Sequence, residues 1–328
     1  MNSPTLTTVA CPICQSTVGR ELFRTQDYKQ RVTNDVFTVS RCQQCGAGYL
    51  STRPTKAGLA PYYDETFYWS FENDQRVAQD PEQLLAIRKD QLRAKVAWLE
   101  SMPPGKLLDI GTQKGEFVHY VRELGWDAEG VEFSDTPANL FNVPIRYGEF
   151  LEMDFGGEPC FDCITMWAVL EHVYEPAAYV KKIAELLKPN GRFIFLVTNF
   201  NTLQGRYYEM DDFPRHLNLF TKRSARRIVE DHGMELVRGR TDQRIFGGKL
   251  QGGLVYAAKR LGGYSRADVM FEWKHNTDLV PFFHQWRGQP SVTMRWLSRL
   301  DRLVLTPIEA LLDRLGHGFV LTIEAKKR

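Results

Sequence analysis

Lys106-Leu-Leu-Asp-Ile-Gly-Thr-Gln-Lys-Gly-Glu-Phe117 is the stretch on which the reading of this chain turns. An apolar strand ends in Asp109, Gly111 and Gly115 hold a turn, and a helix follows. In open α/β sheets ligands bind outside the carboxyl ends of strands, and this turn is such an end. Glycine there lets backbone approach a ligand and permits positive φ. Strand, glycine turn and helix are common to many nucleotide binders, so the neighbouring sequence has to decide.

Phe117, Val121 and Leu124 give the helix an apolar stripe, with Gly125 as its stop. The next strand, Asp127 to Val131, ends in Glu132. A carboxylate at that tip, roughly 20 residues past the glycine turn, is where such folds hold ribose hydroxyls. No basic residue stands beside it to accept a 2′-phosphate.

Three further segments extend the pattern: Phe161 to Val173, containing Leu170-Glu171-His172; Leu186-Leu-Lys-Pro-Asn-Gly-Arg192; and His216-Leu-Asn-Leu-Phe-Thr221, leading through a helix to Gly233-Met-Glu-Leu-Val237. Over residues 105–240 the chain resembles the class I S-adenosylmethionine-dependent methyltransferases, in particular the bacterial small-molecule subgroup. The resemblance implies a Rossmann-like α/β core, mostly parallel with an antiparallel last strand. It also implies roles. Asp109 would sit near the methionine amino group, Gly111 and Thr112 would line the sulfonium end, and Gly115 would start the helix. Glu132 would take the ribose hydroxyls, Phe133 would lie against adenine and Glu149 would approach its amine. Trp167 would stand close to the methyl group. One position departs: the family usually has glycine where this chain has Gln113, so either the loop tolerates a strained backbone or the cofactor site is weakened.

A chain of 328 residues can bury a large core and carry appendages. A net charge of +2 implies no strong field for nucleic acid. No apolar run approaches the roughly 18 residues of a membrane span. No apolar leader precedes Cys11, so the expected location is cytoplasmic.

The cysteines are of two kinds. Cys11-Pro-Ile-Cys14 and Cys42-Gln-Gln-Cys45 are knuckles separated by 27 residues (15–41). Each offers two corners of a tetrahedron, and four thiolates close the sphere of a structural zinc. Cys160 and Cys163 flank an expected strand, where positions three apart face opposite sides of the sheet, and they read as packing residues.

The resulting division is a zinc ribbon over 1–50, an aromatic linker and helix over 51–104, the core over 105–241, a helical insertion over 242–316 and the last core strand over 317–328. The linker holds Tyr62, Tyr63, Phe67, Tyr68, Trp69 and Phe71; its aromatics either pack on the core or, for Tyr63 and Tyr68, cover the cofactor. The insertion reads as two amphipathic helices broken near Pro307, serving as packing, a lid or a dimer surface. Methyl transfer from a sulfonium needs proximity and often a base, and histidine suits the second task. His216 and His172 are the candidates, each with a structural role as the alternative; Tyr207, Tyr208 and Asp212 are further ones. Arg215, Lys222, Arg223, Arg226 and Arg227 read either as a solvated face or as a site for an anionic acceptor.

These features point to methyl transfer to a small-molecule acceptor, a sugar or glycan precursor being the preferred class and oxygen the preferred atom. Two rivals differ in class: a degenerate methyltransferase-like binding protein, and an RNA methyltransferase.

Overall fold

A computed structural model describes residues 6–28, 30–63, 80–135, 138–202, 212–246, 253–265 and 292–328. Tyr68, Tyr207, Tyr208 and the Gly247-Gly248 pair lie outside the described residues.

Seven strands form the main sheet: β5 (Lys106–Ile110), β6 (Asp127–Glu132), β7 (Ile145–Tyr147), β8 (Phe161–Trp167), β9 (Leu187–Thr198), β11 (Met234–Thr241) and β12 (Val320–Lys327). Their order is β11-β12-β9-β8-β5-β6-β7. The pairs among β5 to β9 are parallel, whereas β12 runs antiparallel between β9 and β11. This is the Rossmann-like arrangement expected from the sequence.

Alternation along the central strands makes two cores. Phe193, Phe195 and Val197 of β9 join a cluster with Ile183 of α3 (Pro176–Leu186) and Ile228 of α4 (Lys222–Glu230). Ile194 and Leu196 face the other way, toward Leu92 of α1 (Pro81–Val96) and Val121 of α2 (Glu116–Glu123). A period of two thus gives one strand two buried faces, the pattern of a sheet covered by helices on both sides. The helix starts are local: Asp80 accepts from the Glu82 N–H, and Thr221 and Ser224 form a capping box.

The N-terminal strands β1 (Leu6–Thr8), β2 (Gly19–Thr25), β3 (Phe37–Cys42) and β4 (Gly48–Pro54) form a second, antiparallel sheet in the order β1-β4-β3-β2. It is not an isolated bead. The two-residue β10 (Asn218–Leu219) pairs with Tyr49 and Gly48 of β4, so the segment after β9 adds a strand to the ribbon. Cys11, Cys42, Cys45 and Tyr49 share a buried cluster with the core helices. Strand β4 itself runs through position 50, where the sequence suggested a boundary.

Two expectations are corrected. The helix α7 (Val292–Arg314) continues through Pro307 instead of breaking into two. Proline there removes one N–H and frees the carbonyl of Leu303; that residue is 75% exposed, so water can serve the carbonyl and the helix need not end. The second correction concerns Arg215 alone, since Lys222, Arg223, Arg226 and Arg227 are exposed as a solvated face would be. Arg215 is fully buried and bonded to Asp27 at 3.1 Å and Asp212 at 2.8 Å. Arg223 donates to the Gln44 carbonyl and Arg227 pairs with Asp231. These side chains do not converge into an anion site.

Between α4 and α7 in the chain lie the short helices α5 (Gln243–Phe246) and α6 (Gly253–Leu261). Among the described residues no helix is long and apolar enough to cross a membrane.

Candidate active site

The carboxyl ends of β5 and β8 border a small cleft lined by Asp109, Gly111, Thr112, Phe117 and Trp167. Asp109, at the end of β5, is 1% exposed and accepts from the Thr165 hydroxyl at 2.6 Å. Burial pushes its carboxyl up to about 6, against the opposing pull of the Lys95 ammonium and the Thr165 hydrogen bond. The turn comes close behind: a Cβ on Gly111, whose φ is +79°, would meet Val169 Cγ2 at 2.3 Å. Gly115, also at positive φ, begins α2. Gln113 adopts φ +52°, so a side chain sits where the backbone favours glycine. Its N–H donates to Glu132 at 2.8 Å, and the Phe133 N–H donates to the other oxygen at 2.9 Å. Burial raises the Glu132 carboxyl, and these two donors oppose the rise. Phe133 is 67% exposed beside it. Glu149 accepts from the Tyr179 hydroxyl at 2.5 Å and from the Leu151 N–H. Trp167 closes the inner wall against Phe117, and its Nε1 has no hydrogen-bond partner among the described residues.

Lys95, which the sequence reading passed over, lines the same cleft. Its ammonium lies 5.4 Å from the Phe117 ring centroid and 5.3 Å from that of Trp167, with Phe246 on a third side. Desolvation pulls its pKa down, and Asp109 is the main influence holding it up. Among the described residues no hydrogen bond or ion pair engages Nζ. Arg88, one to two turns earlier on α1, pairs with Glu116 at 3.2 Å at the cleft wall. The signal was present: Arg88, Leu92, Lys95 and Leu99 share one helical stripe, and two cations on an otherwise apolar stripe call for a polar counterpart.

A second cluster stands beyond the fourth core strand. The ligand-type atoms of Glu171, His172 and His216 all lie within 4.8 Å of one another. The two imidazoles meet edge to face, centroids 4.5 Å apart. Main-chain bonds from Leu217 and Asn218 to the Glu171 carbonyl hold the two segments together. Tyr63 joins them, its hydroxyl 3.2 Å from Nδ1 of His172. The sequence named both histidines without showing that they touch. One carboxylate with two imidazoles is a donor set for a divalent cation, and either imidazole could serve as a base near neutral pH.

The four knuckle cysteines converge at the N-terminal end. Sγ of Cys11 lies 3.6 Å from that of Cys45, and Cys14 lies 3.6 Å from Cys42. Four thiolates about 2.3 Å from a tetrahedral zinc would stand roughly 3.8 Å apart, so the spacing fits such an ion. Gln15 and Gly46 follow the second cysteine of each knuckle at positive φ, which turns the chain back around the sulfurs. The shared Cys11–Cys45 proton holds the Cys45 thiol down to about 5 and Cys11 far above its ordinary value. Crowded thiols cannot all ionise without a cation between them.

Residues 82–238 match the family model described as a methyltransferase domain. Over this segment, a little under half of the chain, the sequence is similar to methyltransferase domains. The chain is also similar to ubiquinone biosynthesis O-methyltransferases of Alkalilimnicola ehrlichii and Stutzerimonas stutzeri. The first is 30% identical over 105 residues, covering 29% of this chain and 42% of that one. The second is 25% identical over 147 residues, covering 39% and 63%. The chain therefore spans about half the length of the curated relatives it matches. A solved S-adenosylmethionine-dependent methyltransferase from Archaeoglobus fulgidus aligns over 80% of this chain and 100% of its own, with a TM-score of 0.48 and 17% identity.

Proposed function

We propose that this protein transfers the methyl group of S-adenosylmethionine to a hydroxyl of a small molecule. The observation that carries the reading is the pair of buried opposite charges, Asp109 and Lys95, in one cleft at the carboxyl edge of the sheet. The methionine end of the donor is a zwitterion. Asp109 would take its ammonium, and Lys95 its carboxylate. Glu132 would accept the ribose hydroxyls, with Phe133 against the adenine and Glu149 near its amine. Gly111, Thr112 and Gly115 would let the chain run close to the donor, and Trp167 would wall its methyl end. The unspent Trp167 Nε1 and the empty-handed Lys95 ammonium fit a polar ligand in this cleft.

When bound, S-adenosylmethionine supplies an electrophilic methyl on a good leaving group. The chain's own task is to fix the donor, exclude water and hold the acceptor oxygen in line. His172 or His216 would take the hydroxyl proton as the oxygen becomes a nucleophile, a contribution of roughly 10²–10⁴-fold. Cys11, Cys14, Cys42 and Cys45 would hold a structural zinc that braces the ribbon. The preferred acceptor is a sugar or glycan precursor, on the pairing of a ribbon with this core. A second reading, a hydroxyl of a ubiquinone precursor, is favoured by the names of the relatives. We assign no anion-binding role to the arginines around α4.

Titration calorimetry with S-adenosylmethionine and S-adenosylhomocysteine tests the donor site, followed by a mass-spectrometric screen of sugar-nucleotide and ubiquinone-precursor acceptors for a gain of one methyl group. Binding of neither donor nor product by the folded protein would sink the proposal. Donor binding with no methylated product across the screen would favour a binding role instead.

A further inference from the structure

Arg53 stands on β4 of the ribbon sheet, opposite Thr7 of β1, and is 4% exposed. Its guanidinium lies 3.9 Å from the centroid of the Tyr174 ring, and Nη2 donates to the Tyr174 carbonyl at 3.2 Å. Those contacts use one face of the group and one of its five N–H protons. Nε and Nη1, with three protons between them, are buried and have no hydrogen-bond partner among the described residues. The acidic side chain that acts on Arg53 is Glu175, which is exposed and pulls less strongly than Tyr174. Desolvation outweighs both and lowers the guanidinium's pKa.

A buried arginine is ordinarily paired, because a lone charge gives up its hydration and gains too little in return. Arg215 follows that rule in this same molecule: it is just as deeply buried and is bonded to the carboxylates of Asp27 and Asp212. Arg53 has a ring and one main-chain oxygen instead. Nη2 stands between the two edges of the guanidinium and has a proton on each. The Tyr174 oxygen takes one of them. The other proton, beside an N–H of Nε or of Nη1, completes a two-pronged edge that matches a pair of carboxylate or phosphate oxygens.

The neighbours of Arg53 place this edge on the side of the imidazole cluster. Tyr174 is two residues past His172. Asn218 of β10 holds the intervening chain, its Nδ2 donating to the Val173 carbonyl at 2.8 Å, and β10 pairs with β4. Arg53 thus reaches from the ribbon across the join, to the segment that carries Glu171 and His172.

We propose that Arg53 anchors an oxyanion of the acceptor, a carboxylate or a phosphate, which makes the ribbon part of the acceptor site. The use of this anion in a reaction rests on the proposed methyl transfer; the anion site itself does not.

The test is the arginine Nε–H region of proton–nitrogen NMR spectra of the full-length protein. It is titrated with inorganic phosphate, with acetate, and with chloride at matched ionic strength. Arg53→Lys, which keeps the charge without the fork, assigns the signal by its loss. The expected result is a saturable shift of the Arg53 signal with phosphate or acetate and none with chloride, the tighter of the two identifying the oxyanion. No saturable shift with either, or the same shift with chloride, overturns the proposal. The melting temperature is a second reading that needs no assignment. Phosphate or acetate should raise it in the wild type by mass action and leave Arg53→Met unmoved; anions that raise both equally, or neither, overturn the proposal. With an acceptor in hand, Arg53→Met should raise its KM roughly 10- to 150-fold, the loss of one hydrogen bond to a charged group, with affinity for S-adenosylmethionine unchanged. An acceptor without an anionic group, turned over equally by both proteins, would also end the proposal. Failure of donor binding in calorimetry would sink the methyltransferase reading and leave the anion titration standing, so the two failures are told apart.

Discussion

Asp109→Asn should make the protein more stable and the donor site worse. The carboxyl is 1% exposed, and burial lifts its pKa from 3.8 to about 6. A shift of about two units corresponds to roughly 3 kcal/mol. The sign follows from linkage: a carboxyl with a raised folded pKa binds its proton more tightly when folded. Its stabilising effect is complete below about pH 4 and is lost as pH rises through 6. At pH 7 the ionised Asp109 therefore costs the fold about 3 kcal/mol relative to a neutral isostere. Asparagine keeps an oxygen to accept from the Thr165 hydroxyl, now at 2.6 Å. Its amide N–H groups lack an evident partner, which removes about 1 kcal/mol of the gain. The net expectation is a variant about 2 kcal/mol more stable at pH 7, with the difference gone near pH 4. Donor affinity should fall by roughly 10- to 150-fold, the loss of one hydrogen bond to a charged group. Urea unfolding at pH 4, 5.5 and 7 reads the first effect, and calorimetry with S-adenosylmethionine the second. A variant less stable at pH 7, or a gain independent of pH, would refute the reasoning that the site stores a desolvated charge.

Lys95→Met should lower donor affinity at least tenfold and lower the melting temperature at pH 7, because it leaves the buried Asp109 carboxylate without its opposing cation; equal donor affinity in calorimetry would remove Lys95 from the site. Cys42→Ser should abolish the one equivalent of zinc expected per chain and loosen the ribbon, read by elemental analysis and limited proteolysis; metal-free wild-type protein prepared anaerobically would end the zinc assignment. Gln113→Gly should be neutral or stabilising by up to about 1 kcal/mol, since relief of left-handed strain offsets the entropy of a new glycine; a clear loss in thermal unfolding would mean that the Gln113 side chain makes a contact of its own. His216→Ala should depress turnover by roughly 10²–10⁴-fold with donor affinity intact, if His216 is the base; near wild-type turnover between pH 6 and 9 would leave the reaction to His172 or to proximity.

Much of the proposed donor side was legible as backbone because its signals are local. Asp109, Gly111 and Gly115 lie within seven residues of one another, and Glu132 follows one helix later at a strand tip. The strand periods around Ile164 and Phe195 and the stop at Gly125 are likewise short-range facts about backbone and burial. The knuckles are local too, since each is four residues in a tight turn. Lys95 was missed because hydrophobic periodicity records which positions are apolar and assigns a cation to the surface by default. Its burial reflects the aromatic rings that Phe117 and Trp167 bring from other elements.

By itself the sequence determined the α/β core, the glycine turn with its two strand-tip carboxylates, and the two cysteine pairs, because each is written in residues close along the chain. Only the tertiary structure decided that β10 completes the ribbon sheet, that His172 touches His216, and that Arg215 is a buried ion rather than part of a basic face. Arg215 and Asp27 are 188 residues apart, and Tyr63 and His172 are 109 apart. Pairings at such separations leave no periodic trace in the chain. They exist because docking the ribbon on the core withdraws those polar groups from water, and a buried charge or donor must then find its partner inside the protein.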